Sequence, residues 1–145
     1  MKTIAQSWQA WALLSAVFAA ATALLAKAGV QGVNSNYATF LRTVVVILFL
    51  AALLAATGGF QAPSAIGGRS LLFLVLSGLA TGASWLCYFR ALKLGPVSQV
   101  APIDKLSLLL VAVLGVAVLG EKLSVRAWIG VVFIAVGAVL VALKQ

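Results

Sequence analysis

The chain is 145 residues long, 64% hydrophobic and only 8% charged, against roughly 25% charged residues in an ordinary soluble domain, which excludes a water-soluble globule of this size. Its 10 basic and 2 acidic residues give a net charge of +8, but the basic residues are scattered between apolar runs, so no nucleic-acid partner is expected and the charges read as membrane-topology signals. With no histidine, one cysteine and two acids, the chain cannot assemble a metal cluster, a disulfide framework or a Ser/His/Asp or Cys/His set, so no catalytic residues, metal or cofactor are expected and the enzyme classes are set aside.

The expected fold is all-α: a polytopic membrane protein with five transmembrane helices near residues 9–27, 37–57, 70–91, 97–119 and 126–143, each close to the roughly 20 residues that cross the bilayer. Residues 1–145 read as a single transmembrane domain with no room for a separate soluble one. The first segment follows Lys2 and resembles a secretory signal in outline, but Trp8 and Trp11 suit an interfacial belt, and Ser15 and Thr22 give it a polar side. The connections carry breaker residues: two glycines and two asparagines over 29–36, Pro63 and four glycines over 58–69, Gly95-Pro96, and Gly120 before Ser124. Small residues at close-packing intervals, Ala12/Ala16/Ala20, Gly78/Gly82 and Gly130/Gly137, read as helix-packing signals.

The third helix places Ser77, Thr81, Ser84 and Tyr88 on one face, with Trp85 beside them as an aromatic wall. Those hydroxyls either bond back to their own helix or to neighbouring helices, or they line a central cavity. In the fourth segment, Pro96 suits a helix start, whereas Pro102 lies inside and removes the bond its N–H would make to Ser98. Gln99, Asp104, Lys105 and Ser107 surround that point. A broken helix at membrane depth belongs where it is buried in protein or lines a water-filled cavity, and carriers place binding sites at such breaks. Asp104 is the acid within a span, a costly placement that points either to function or to an ion pair with Arg42, Arg90 or Lys105. Lys27 and Arg90 are expected to snorkel, Cys87 to pack, and Glu121 to serve as an interfacial or capping residue.

An odd number of spans puts the two termini on opposite sides of the membrane. Lys2, Arg69, Lys122 and Arg126 lie toward one side and Lys27, Arg42, Arg90, Lys93 and Lys144 toward the other, four against five, with Lys105 inside a span. A near balance gives little reason for a single orientation, so dual topology is an expectation, the alternative being that one or two well-placed charges fix a single orientation.

Residues 84–110, SWLCYFRALKLGPVSQVAPIDKLSLLL, with LGEKLS at 119–124, resemble the EamA domain of the drug/metabolite transporter superfamily. The signposts are the basic-x-Gly-Pro turn over 91–96, Val100-Ala101-Pro102 and Gly120-Glu121, and the five-helix layout extends the likeness over essentially the whole chain. The resemblance implies half of a ten-helix inverted-repeat transporter fold, the other half coming from a partner. Together with the charge count, it leads to an antiparallel homodimer. Small multidrug resistance proteins are a looser likeness, because their first helix carries a glutamate and this one has no acid.

The expected function is a secondary carrier that moves a small polar or amphiphilic metabolite by alternating access, in a bacterial plasma (inner) membrane. Ser77, Thr81, Ser84, Trp85, Tyr88, Gln99, Asp104 and Lys105 would line the substrate cavity, with Arg42 and Arg90 as entrance charges. The alternatives are a non-transporting subunit of a hetero-oligomeric membrane complex and a flippase for an anionic lipid-linked sugar.

Overall fold

The structure is a computed structural model and describes residues 7–143. Lys2 and Lys144, both used in the charge count, lie outside the described residues. Among the described residues the chain is helical with no strand: α1 (Trp8–Gly29), α2 (Ser35–Thr57), a short 3-10 turn (Pro63–Ala65), α3 (Gly68–Leu94), α4 (Val97–Asp104), α5 (Ser107–Leu119) and α6 (Val125–Ala142). Five stretches are long and apolar enough to span a membrane, α4 and α5 together forming the fourth. The third is longer than its hydrophobic pattern predicts, at 27 residues.

The helix ends follow from local chemistry. Asn34 caps α2 through its side-chain oxygen, which accepts from the Asn36 and Tyr37 N–H groups. Gly58 closes the same helix at φ 65°, and the N–H groups of Gly58 and Gly59 both reach the Leu54 carbonyl. This left-handed closure suits glycine because it lacks the Cβ that crowds the following carbonyl. Ser124 caps α6 by accepting from Ala127 N–H. Pro96 stands one position earlier than a first helical residue: it is the extended cap of α4, and its carbonyl accepts from Gln99 and Val100.

The chain divides into two compact units. In the unit formed by residues 26–93, the buried residues gather at one end: Val30, Ser35 and Thr39 from the start of α2 and the loop before it, Phe89 and Leu92 from the end of α3. There α2 and α3 are bridged by side chains rather than by close backbone packing. The remainder of both helices carries large apolar side chains outward, as lipid or a protein partner requires.

The other unit holds α1 to Leu25 and everything from Leu94 onward. Both pieces of the broken span, α4 and α5, pack against α6. At the end of α5, Gly120 takes φ 69° and Glu121 N–H donates to the Gly115 carbonyl at 3.1 Å. The Glu121 carboxylate folds over buried Gly115, one of its oxygens 2.9 Å from where a Cβ would stand. Glu121 therefore takes part in the helix closure through its backbone N–H, with its side chain lying over Gly115.

Candidate functional site

The break in the fourth span lies just beyond Pro102. α4 runs through Pro102 to Asp104, since the fixed φ of proline is itself helical, and the chain then tightens. Lys105 N–H reaches back to the Pro102 carbonyl, Leu106 to Ile103, Leu108 to Lys105 and Leu109 to Leu106, each a three-residue step in place of the four-residue step of an α-helix. The Ser107 hydroxyl donates to the Asp104 carbonyl at 2.7 Å. It replaces a backbone partner lost at the break, because Leu108 N–H is drawn to Lys105 instead.

Asp104 and Lys105 form an ion pair at this point, 3.3 Å between Nζ and carboxylate oxygen, and both side chains are about half exposed, at 40% and 52%. Of the three candidate partners for Asp104, the chain supplies the adjacent one. A neighbouring cation removes the need to carry an isolated anion into hydrocarbon. Gln99, on the same short helix, is half-buried.

The second cluster is built on α2 and α3. Arg42 is half-buried, and its guanidinium lies over the Trp85 ring, 4.1 Å from the centroid, and 5.7 Å from the centroid of buried Phe89. Tyr88 is close enough to interact electrostatically with the same group. Trp85 and Phe89 are four residues apart and so share a face of α3. Arg42 stands seven residues into α2, about 10 Å along the axis. An arginine within a span is costly, the more so toward its centre, and a cation over a ring recovers about 0.5–2 kcal/mol. The stack therefore offsets part of that cost and holds the side chain in place.

On the polar face of α3, Thr81 donates its hydroxyl to the Ser77 carbonyl at 2.9 Å, so this threonine bonds back to its own helix. Ser77 and Ser84 are exposed. The structure thus brings Arg42 together with Trp85 and Tyr88, and Asp104 with Lys105, while Arg90 is exposed on α3 outside the ring stack. Ser77, Thr81, Ser84, Trp85 and Tyr88 belong to the first unit described, and Gln99, Asp104 and Lys105 to the second.

Two lysines bond to backbone carbonyls. Lys27 is half-buried and donates to the Leu92 carbonyl at 2.7 Å, closing the last turn of α3, and Lys93 donates to the Val33 carbonyl at 2.6 Å. A cation at the carbonyl end of a helix also complements its dipole. Residue type does not signal a backbone acceptor, so nothing in the pattern points to these bonds. Phe89 was within reach of pattern reading, being four residues from Trp85 on a face that continues to Leu92.

The chain matches the EamA-like transporter family over residues 6–143. It is 63% identical over 139 residues, covering 96% of this chain and 99% of the relative, to a Sinorhizobium protein described as an uncharacterized transporter in the cobO 3' region. No solved structure matches it. The match runs over nearly the whole chain, and the chain belongs to the EamA-like transporter family, as a multi-pass membrane protein of transporter type with five stretches among the described residues long and apolar enough to span a membrane.

Proposed function

We propose that this chain is a secondary carrier for a small polar or amphiphilic metabolite, working by alternating access as an antiparallel homodimer in a bacterial plasma membrane. The observation that carries the reading is the broken fourth span, with the Asp104–Lys105 pair at the break and α4 and α5 both braced on α6. A charged, hinge-like interruption in an otherwise apolar span is costly as a mere anchor and useful where a solute must be met at depth. The near-balanced basic residues support the antiparallel arrangement, and the wide apolar surfaces of α2 and α3 leave room for a second copy.

A reporter attached at Gln145, read molecule by molecule, tests the assembly. Comparable populations on both sides of the membrane are expected, and a single orientation would overturn the antiparallel homodimer and favour a hetero-oligomeric complex. Carrier activity is tested by counterflow in proteoliposomes with a labelled panel of amino acids, carboxylates, sugar phosphates and neutral sugars. Saturable exchange of at least one class is expected, and exchange of none would overturn the carrier reading.

A further inference from the structure

Residues 26–93 contain five basic residues, Lys27, Arg42, Arg69, Arg90 and Lys93, and no acid, since Asp104 and Glu121 both lie outside that segment. Lys27 and Lys93 donate to backbone carbonyls, Arg69 lies 5.8 Å from the Phe73 ring centroid near the start of α3, and Arg90 is exposed. Arg42 differs from the other four in lying against two rings, and it is half-buried within a span and in no ion pair among the described residues. The hydroxyls beside it on α2 are already engaged, Thr39 donating to the Ser35 carbonyl and Thr43 to the Thr39 carbonyl.

A ring contact supplies no hydrogen-bond acceptor, so it does not use up the fork of guanidinium N–H donors that matches a carboxylate or phosphate. The ring contacts also fix the fork in advance, so a ligand meets an ordered donor set. We propose that Arg42, held against Trp85 and Phe89, binds the anionic group, carboxylate or phosphate, of the carried solute. The proposal relies on the carrier reading for the occupant being a solute, and on the stack for its charge. A lipid phosphate offers the same chemistry, and the experiment separates the two sources.

The test uses the full chain in phosphatidylcholine nanodiscs, with Trp8, Trp11 and Trp128 replaced by Phe so that Trp85 is the only indole among the four tryptophans of the sequence. Its emission is titrated at constant ionic strength with acetate, succinate and inorganic phosphate, and with acetamide and choline as neutral and cationic controls. A saturable change with at least one anion and none with the controls is expected. R42Q should weaken it roughly tenfold or more and R42K by less, because the lysine keeps the charge and loses the fork. R69Q, which removes a cation beside the Phe73 ring near the start of α3, should leave it unchanged.

No response to any soluble anion, or a response unaltered in both Arg42 variants, overturns the proposal. So does a Trp85 change produced by phosphatidylglycerol in the nanodisc together with no response to soluble anions, which assigns the stack to a lipid headgroup. If R42Q fails to fold, R42K carries the comparison. Counterflow of a neutral solute that survives both variants would overturn the anion site and leave the carrier reading intact. Anion binding with no counterflow of any solute would do the reverse.

Discussion

The two units meet the same problem, charge within a membrane-spanning fold, by different means. In residues 26–93 the cations are met by neutral groups: Lys27 and Lys93 by backbone carbonyls, Arg42 by the rings of Trp85 and Phe89. In the other unit Lys105 is met by a carboxylate one residue away, at a point where the helix itself is interrupted. Carbonyl and ring partners hold a side chain in place without cancelling its charge, whereas an acid cancels it. The first unit thus keeps net positive potential at an ordered position, and the second places a neutralised pair at a mechanically weak point.

Breaking the neutralised pair should have the largest effect. Asp104→Asn leaves Lys105 as an uncompensated cation at the break while preserving side-chain shape. Counterflow should fall at least about tenfold, with helicity and oligomeric state unchanged, because a lone charge at depth is costly to move between states. Unaltered counterflow would remove Asp104 from the mechanism and reduce the pair to a local tether.

Next come the carbonyl-bound lysines. Lys27→Met keeps the apolar stem and deletes the donor to Leu92, and it should destabilise the end of α3 by about 1.5–3 kcal/mol, the range for a hydrogen bond from a charged group. Hydrogen exchange localised to the last turn of α3 is the measurement. Faster exchange spread evenly over all helices would instead mean that Lys27 supports the whole fold. The ring contact is weaker: a double-mutant cycle of Arg42→Gln and Trp85→Leu, read by thermal unfolding in nanodiscs, should give a coupling of about 0.5–2 kcal/mol. Zero coupling would mean that the guanidinium rests on Trp85 without being held there.

How much of this was legible beforehand depends on the kind of signal. The five spans follow from apolar run length, and the interruption of the fourth was foreshadowed by Pro102 with Asp104, Lys105 and Ser107 around it. Its location, beyond Asp104, was not, because proline's φ lets α4 continue while the tightening falls on the following residues. Residue type marks the Trp85–Tyr88 region as a wall, yet its joining to Arg42 needs the register of α2 against α3, which no local pattern carries. The lysine-to-carbonyl bonds were illegible in principle, since every residue carries a carbonyl. Glycine spacing is legible but ambiguous: among the described residues, no atom beyond their own helix backbone comes within 4 Å of a Cβ placed on Gly78, Gly82, Gly130 or Gly137.

That ambiguity yields the smallest expected effect and the finest test. Gly120→Ala puts a Cβ into the left-handed closure of α5 and should cost about 1–2 kcal/mol, whereas Gly78→Ala adds a methyl where there is open space and slightly favours the helix. For the isolated chain, Gly78→Ala should therefore leave thermal stability unchanged within about 1 kcal/mol. In a dimer whose partner helix lies against that face, the same methyl holds two backbones apart, and dissociation measured by single-molecule photobleaching across a dilution series should strengthen. Unchanged stability with increased dissociation assigns the α3 glycine face to the interface. Both unchanged means that the face meets lipid, and that any surface joining two copies does not include it.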